Sequence, residues 1–292
     1  MASELTEPSS KHQGLPNRLA DAKELAREVL AEDGLRDVTS DLVGTSDSGN
    51  GVVRSREQCI AACLDYASEV ASRAGCHVGW SVAEGDRVAP NGTLGTVTGE
   101  VTAILRAERP MLNLLQRACG IATATRRFVD AVSGTRCRVL HTRKTAPGLR
   151  IFDVAAVVAG GGHVHRLGLD QVVMIKDNHW VALEAQRTDI IAVIEEARRR
   201  GVIAVQVEVE TETQVETACR AGADRLLIDN RSPQEFRKLA DLARRQAPDI
   251  ELEATGGITL DNVSAYADAG ASFVSIGALT HSVLAIDLTV EM

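Results

Sequence analysis

The segment IAVQVEVETETQVETACRAGADRLLIDN, residues 203–230, decides the fold. It begins with an apolar run, Ile203–Val209, continues with a stretch of helical spacing, Glu212–Ala221, and ends with a second apolar run, Arg225–Asp229. A strand, a helix and a second strand in this order form a βαβ unit, whose two strands lie parallel in one sheet. The segment therefore predicts a parallel sheet covered by helices.

The same alternation continues on both sides of this unit. A regular succession of strands and helices favours an α/β barrel over an open sheet, and barrels bind ligands at the C-terminal ends of their strands. Further strands are predicted at Arg138–Thr142, Val172–Lys176, Ile250–Ala254 and Phe273–Gly277, and further helices at Asp189–Arg200, Pro233–Gln246 and Asp261–Ala269.

The first third of the chain has a different pattern. It predicts an amphipathic helix over Leu19–Leu30, and short apolar runs between Val78 and Gly99, separated by glycine-containing turns, predict a small antiparallel sheet. A longer helical pattern runs from Arg106 to about Val132. A chain of 292 residues is long enough for two domains. We expect a disordered arm at 1–14, an α+β domain at 15–118, a barrel at 119–275 and a C-terminal segment at 276–292 that packs back on the α+β domain.

Charge and composition argue against several classes of function. The net charge is -8 and there is no basic tail, whereas nucleic-acid binding needs a clustered positive surface. No apolar run is long enough to span a bilayer, and the polar N-terminus lacks a signal core, so we expect a cytoplasmic protein. The six cysteines form no CxxC pair and are expected to be buried free thiols; a single catalytic cysteine is the minor alternative.

Basic side chains follow successive predicted strands. Arg143 and Lys144 follow one strand, Lys176 ends the next, and His165 and Arg166 come shortly after a run of three glycines. Arg binds carboxylate or phosphate with two parallel hydrogen bonds, and Lys binds it as a point charge. Glycines let backbone N–H groups approach an anion closely. Any one of these residues alone is typical of a solvated surface, but together they predict a site for polyanions.

Two carboxylates, Glu208 and Asp229, end neighbouring strands and are expected to face the same site. Carboxylates beside a polyphosphate usually bind Mg²⁺ together with substrate oxygens. The alternative is that both only form salt bridges with the basic residues around them. By strand alternation Glu210 points the same way, as a supporting partner.

Two glycine-containing turns predict a phosphate site. Gly256 and Gly257 follow a strand and precede a helix, and Gly277 follows the next strand. Helix N-termini bind phosphate, and the last two βα loops of barrels commonly do so. His281 lies nearby, either as a ligand or as a buried structural histidine. A phosphate, a metal-bound pyrophosphate and a second anion together indicate phosphoribosyl transfer.

At these residues the chain resembles the quinolinate phosphoribosyltransferase family, from about Leu19 to its C-terminus. The resemblance implies that quinolinate and phosphoribosyl pyrophosphate give nicotinate mononucleotide, pyrophosphate and CO₂ with Mg²⁺. It also implies an α/β fold with an N-terminal α+β open sandwich and an incomplete α/β barrel, assembled as a homodimer or a multiple of dimers. The motifs that carry it are Ala107–Arg109, Gly120–Thr123, Thr142–Arg150, Gly160–Gly162, His165–Leu169, Ile175–His179, Val207–Glu210, Asp229–Asn230, Gly256–Ile258 and Gly277–Ser282.

The resemblance also implies roles for single residues. Arg143, His165 and Arg166 would hold the carboxylates of quinolinate, and Arg109 would reach the site of the neighbouring subunit. The predicted catalytic residues are Lys144 and Lys176, near the pyrophosphate, and Glu208 and Asp229, which would hold Mg²⁺ and the ribose hydroxyls. The remaining predicted substrate contacts are Thr142, Thr255, Gly256, Gly257, Gly277 and His281, with Thr255, Gly256 and Gly277 around the 5′-phosphate.

The chain departs from the family pattern at several positions. Residues that support the ligand-binding side chains can change which ligand a pocket binds. A paralogue that uses a different heteroaromatic carboxylate is therefore the main alternative. A ligand-binding protein without turnover is the minor one, because such a protein has no need for Lys144, Lys176, Glu208 and Asp229. The departures are Arg36, Cys119, Val154, Ala155, Val164, Asp170, Gln171 and Gln206.

Overall fold

The protein is described by a computed structural model, which covers residues 15, 18–34, 36–43 and 47–292. The arm predicted at 1–14 lies outside the described residues. The elements of the first third are α1 Arg18–Glu32, α2 Val38–Val43, β1 Ser48–Ser55, β2 Cys59–Ile60, α3 Leu64–Ala74, β3 His77–Trp80, β4 Arg87–Val88 and β5 Thr93–Glu100.

Helix α4, Val101–Ala131, follows β5 directly and leads into the second part of the chain. It buries an apolar face that includes Met111, Leu115 and Ile121. The helix predicted from Arg106 is confirmed, but it begins earlier. Its first residues, Val101–Leu105, contain β-branched side chains, which favour strands, so the helical pattern becomes clear only after them.

From there on, each strand except the last is followed by one helix or, after the second of these strands, by two. The elements are β6 Arg138–Leu140, α5 Arg150–Ala159, β7 Val173–Ile175, α6 Asp177–Gln186, α7 Ile190–Arg199, β8 Val205–Val209, α8 Glu212–Arg220, β9 Arg225–Asp229, α9 Pro233–Gln246, β10 Glu251–Thr255, α10 Val263–Asp268, β11 Phe273–Ser275, α11 Ala278–His281 and β12 Leu288–Glu291.

Six of these strands form one parallel sheet in the order β6–β11–β10–β9–β8–β7. Strands β6 and β7 lie at its two edges, and over the described residues they do not pair with each other. The predicted incomplete α/β barrel is therefore confirmed. The register pairs Leu227 with Glu253 and Asp229 with Thr255, and since alternate residues of a strand face one side, these four side chains face the barrel interior.

The antiparallel sheet has the order β12–β1–β5–β3, with Val52 opposite Thr96 and Val53 opposite Val290. The antiparallel sheet predicted between Val78 and Gly99 is confirmed, and the last strand of the chain joins it. A second, two-stranded sheet pairs β2 with β4.

The described residues contain no helix that is both long and apolar enough to cross a membrane. All six cysteines are free thiols, and only Cys219 is partly exposed. Cys119 and Cys59 lie on neighbouring elements, α4 and β2, within the apolar core.

Candidate active site

A cavity of about 450 Å³ opens at the C-terminal ends of the parallel strands. Basic and acidic side chains both line it, and it contains most of the residues that the sequence predicted to lie together. Its walls are formed by His141, Thr142, Arg143, Lys144, His165, Arg166, Met174, Lys176, Asp177, Glu208, Leu227, Asp229, Asn230, Glu253, Thr255, Gly256, Gly257 and Ser275.

Lys176 and Glu208 form an ion pair in this cavity. Lys176 Nζ donates to Glu208 Oε2 over 2.5 Å, and the Glu208 side chain is buried. Lys176 is also the N-terminal cap of α6. From the first turn of that helix, Trp180 Nε1 donates to the Glu208 carbonyl oxygen over 2.8 Å. The position of Glu208 is thus fixed from its side chain and its backbone.

Asp229 lies beside this ion pair at the end of β9. Partial burial raises the pKa of Asp229, the negative charge of Glu208 raises it further, and the charge of Lys176 acts in the opposite direction. Asn230 Nδ2 donates to Asp229 Oδ2 over 2.7 Å. The charge of Glu210 also raises the pKa of Asp229, although the Glu210 carboxylate forms its own ion pair with Arg231 at 2.7 Å. Two carboxylates and one lysine therefore share a small volume.

The turn after β10 needs glycine. Gly256 has a φ of 76°, a conformation that L residues rarely adopt. A side chain there would also clash with Asn230 Oδ1, and its Cβ would lie 2.8 Å from Asp229 Oδ1. The backbone of this turn is joined to the β9 end by a hydrogen bond from Asn230 N to Thr255 O, of 3.0 Å. Glycine thus lets the turn lie against the acidic residues.

The loop with Arg143 and Lys144 is held by a buried carboxylate. Asp153 in α5 accepts two hydrogen bonds from Arg117 of α4, of 2.9 and 2.8 Å, and one from Ala146 N of 3.0 Å. Thr280 Oγ1 donates to the Lys144 carbonyl oxygen over 2.9 Å. Helices α4, α5 and α11 therefore fix this loop together.

Arg143 and Arg166 lie close enough for their charges to interact. Burial lowers the pKa of Arg166, and the positive charge of Arg143 lowers it further. The buried Nε of Arg143 has no hydrogen-bond partner among the described residues. Two guanidinium groups in this arrangement attract an anion, which would relieve their repulsion and supply the missing acceptors.

Two histidines line the cavity floor. Burial lowers the pKa of His141 to about 4, so its ring is neutral. Its Nδ1 lies 3.0 Å from the Thr142 carbonyl oxygen. His165 is hydrogen-bonded on both ring nitrogens, to Glu253 and to the backbone of Arg166. His141 and Glu253 line the cavity but were not predicted from the sequence. Two features could have identified them: His141 directly precedes Thr142, and Glu253 lies two residues before Thr255 on the same strand.

Three predicted residues lie outside the cavity walls. Arg109 is exposed on α4. Gly277 begins α11, where an added Cβ would lie 3.0 Å from both the Lys144 side chain and the His281 ring. His281 is exposed, so the alternative that it is a buried structural histidine is wrong. Gly277 thus lets α11 pack closely against Lys144.

Two family sequence models match the chain. Quinolinate phosphoribosyl transferase, N-terminal domain, covers residues 37–119, and quinolinate phosphoribosyl transferase, C-terminal domain, covers residues 121–291. The chain belongs to the quinolinate phosphoribosyl transferase family. The two models divide the chain close to the middle of α4, near Cys119.

Relatives from distant organisms match almost the whole chain. Nicotinate-nucleotide pyrophosphorylase (carboxylating) from Mycobacterium leprae is 35% identical over 278 residues, which are 93% of this chain and 97% of that protein. The human protein of the same name is 32% identical over 255 residues, 86% of this chain and 84% of that protein. The solved structure of nicotinate-nucleotide pyrophosphorylase from Francisella tularensis has a TM-score of 0.87 and 32% identity, and covers 95% of this chain and 97% of that one.

None of the departures from the family pattern lines the cavity, although Asp170 and Gln171 line an adjoining cleft together with Arg143 and Arg166. Val154, Ala155 and Cys119 are fully buried in the apolar core and do not line the cavity. Gln171 Oε1 accepts a hydrogen bond of 2.7 Å from Leu167 N, which braces the loop after Arg166. These four changes therefore alter the packing and the loop around the site, and leave its charged side chains in place.

Proposed function

We propose that this chain transfers the phosphoribosyl group of phosphoribosyl pyrophosphate to quinolinate and releases pyrophosphate and CO₂, which gives nicotinate mononucleotide. The observation that carries the proposal is the meeting of two clusters in one cavity, in a chain of this family. One cluster holds Arg143 and Arg166, and the other holds Lys176, Glu208 and Asp229. The first suits a dianionic acceptor, and the second suits a ribose with a pyrophosphate leaving group.

The acceptor binds at the two arginines. Each guanidinium can hold a carboxylate with two parallel hydrogen bonds. Quinolinate has two adjacent carboxylates, so it can neutralise both Arg143 and Arg166. Their repulsion, which contributes to the lowered pKa of Arg166, is relieved when the dianion binds. The pair therefore selects dicarboxylates over monocarboxylates.

The donor binds at Lys144, Lys176 and the two carboxylates, with its 5′-phosphate at the Thr255–Gly257 turn. Over the described residues, no group of three or more His, Cys, Asp or Glu side chains suits a metal ion. Mg²⁺ is usually held by one or two carboxylates plus substrate phosphates, so Glu208 and Asp229 fit an ion that arrives with the donor. Bound there, Mg²⁺ would stabilise the charge on the departing pyrophosphate.

The reaction has two bond-breaking stages. The bond between the anomeric carbon and pyrophosphate breaks with both electrons leaving on pyrophosphate, where Lys144 and Lys176 stabilise the charge. The carboxylates Glu208 and Asp229 favour the positive charge that builds on the ribose, and the ring nitrogen of quinolinate forms the new bond. The cationic ring then accepts the electron pair left by CO₂ at the adjacent carbon, which is finally protonated.

Arg109 is proposed to act in the site of a second copy of the chain, in a homodimer or a multiple of dimers. It is exposed on α4 and lies outside the cavity of its own chain. Mixing Arg109→Ala and Asp229→Ala chains tests this, because a mixed dimer has one site with both native residues. We expect the mixture to regain part of the activity that each variant lacks; no recovery after exchange of subunits would contradict a shared site.

A different acceptor is the second candidate. The buried Nε2 of His141 has no hydrogen-bond partner among the described residues, while its Nδ1 faces the Thr142 carbonyl oxygen. Nδ1 therefore carries the ring proton, and Nε2 is left as an acceptor. Quinolinate offers no N–H or O–H group at neutral pH, so a heteroaromatic carboxylate with an amino or hydroxyl substituent would fit this atom better.

A panel of acceptors separates the two candidates. The protein is incubated with phosphoribosyl pyrophosphate, Mg²⁺ and either quinolinate, nicotinate, or amino- and hydroxy-substituted pyridine carboxylates, and the nucleotides are separated by chromatography. We expect nicotinate mononucleotide from quinolinate. Arg143→Ala should raise the KM for the acceptor, whereas Asp229→Ala should lower the Mg²⁺-dependent rate. Small and equal effects of both substitutions would contradict the site assignment.

A further inference from the structure

Both ring nitrogens of His165 are already engaged within the chain. Nδ1 accepts a hydrogen bond of 2.7 Å from the backbone N–H of Arg166, so Nδ1 carries no proton. Nε2 lies 3.3 Å from Glu253 Oε2, so the ring proton sits there and points at the carboxylate. The His165 side chain is only 7% exposed. A ring held in this way has no free donor for a substrate.

Glu253 is held in place by Arg225. It is fully buried in β10, and Arg225 Nη1 donates to the same Oε2 atom over 3.1 Å. The guanidinium of Arg225 in turn lies over the ring of Phe273, 3.8 Å from its centroid. Burial alone would raise the pKa of Glu253, but the hydrogen bond from His165 and the charge of Arg225 outweigh it and lower that pKa. Glu253 is therefore a carboxylate at neutral pH and a strong acceptor for the His165 proton.

The proton position on His165 decides whether Arg166 keeps its backbone hydrogen bond. A proton on Nδ1 would face the Arg166 N–H, and two donors repel each other. A proton on Nε2 is donated to Glu253 Oε2 and leaves the Nδ1 lone pair for the Arg166 N–H. Because Arg166 lines the acceptor part of the cavity, the Glu253 carboxylate acts through His165 on the residue that binds the acceptor.

We propose that Glu253 is a positioning residue, which fixes His165 as the Nε2–H tautomer and thereby orients Arg166 toward the carboxylates of the acceptor. His165 then acts on Arg166 through the Arg166 backbone N–H. The inference rests on the proposed function for the identity of the acceptor. The tautomer itself does not depend on turnover.

The tautomer is measured by ¹⁵N NMR of the full-length protein labelled at histidine, with His165 assigned by comparison with His165→Asn. We expect one protonated ring nitrogen, Nε2, and one unprotonated, Nδ1, both without substrate and with quinolinate bound. A proton on Nδ1, or on both nitrogens, would overturn the proposal. This measurement needs no substitution at Glu253, so it stands even if the protein forms no product.

Kinetics of Glu253→Gln test the consequence for the acceptor. We expect the KM for the acceptor to rise about tenfold while the KM for phosphoribosyl pyrophosphate stays within about twofold, since the loss of one charge-assisted hydrogen bond is worth about 1.4 kcal/mol. Glu251→Gln is the matched control, because Glu251 lies on the same strand and pairs with the same Arg225 at 2.7 Å, but is not hydrogen-bonded to His165. Equal changes in both KM values, or equal effects of the two variants, would refute a specific action through His165.

Discussion

The ion pair between Arg117 and Asp153 offers a test of how the substrate loop is held. Three donors converge on the two carboxylate oxygens of Asp153: Nε and Nη2 of Arg117 and the N–H of Ala146. In Asp153→Asn the side chain keeps its shape, but its NH₂ group must face at least one of these donors. The substitution therefore removes the charge and creates a donor–donor contact at a fully buried position.

The expected loss of stability follows from this burial. Removal of one partner of a buried ion pair costs about 3–5 kcal/mol. Arg117 keeps 26% of its side chain exposed and water can still solvate it, so we expect a loss near the lower limit, about 3 kcal/mol. With an unfolding entropy of about 2.1 cal/mol/K per residue, the 292 residues give about 0.6 kcal/mol/K. If the chain unfolds as one unit, the melting temperature should fall by about 5 °C.

Thermal and urea unfolding measure this loss, with Asp130→Asn as the matched control. Asp130 lies on α4 and pairs with Arg87 at 2.6 Å, but the side chains of Asp130 and Arg87 are 49% and 55% exposed. Such pairs contribute about 0–1 kcal/mol, so the control should unfold almost as the unmodified protein does. The activity of Asp153→Asn should fall at least about tenfold, because displacement of a positioned group by about 1 Å can cost 100-fold in rate. Equal stability losses in the two variants would refute the reasoning.

Three further predictions concern the acidic end of the cavity. Gly256→Ala should raise the KM for phosphoribosyl pyrophosphate at least about tenfold, because an L residue is strained there and its Cβ would displace Asp229 and Asn230; an unchanged KM would contradict this. Asp229→Asn should abolish Mg²⁺-dependent activity. Relative to the unmodified protein, it should also raise the free energy of unfolding more at pH 7 than at pH 3. The pKa of Asp229 is raised in the folded state, so its contribution to stability is present below the unfolded pKa and is lost as the pH rises through the folded pKa; urea titrations at both pH values check the sign, and a variant with no relative gain at pH 7 would contradict it. In Trp80→Phe the fluorescence of Trp180 should report binding of the donor with Mg²⁺, since Trp180 donates to the Glu208 backbone; a signal that survives Trp180→Phe would contradict this assignment.

The strands of the barrel could be predicted because each is a short apolar run between helical segments. Helices α5 and α6 could not. Helix α5, Arg150–Ala159, is buried along most of its length, so its sequence has no polar face to mark a helical period. Helix α6, Asp177–Gln186, has no buried residue, so it lacks an apolar stripe and is recognisable only from its cap at Lys176.

The candidate site was predictable where it follows the strand ends. Lys176, Glu208 and Asp229 could be grouped because parallel strands end at one edge of the sheet. The residues beneath them could not. Glu253 faces His165 only through the register of β10 against its neighbours, and Asp153 meets Arg117 only through the packing of α5 on α4. Such contacts depend on three-dimensional placement, which the spacing of residues along the chain does not encode.

The most direct test of the proposed reaction follows the carboxyl group beside the ring nitrogen. Quinolinate with an isotopic label in its 2-carboxyl group is incubated with the protein, Mg²⁺ and phosphoribosyl pyrophosphate, and the released CO₂ is trapped and counted. We expect labelled CO₂ in equal amounts with nicotinate mononucleotide, and none when phosphoribosyl pyrophosphate is left out or when Asp229→Asn replaces the unmodified protein. Labelled CO₂ that does not depend on the donor, or no release with all components present, would contradict the account.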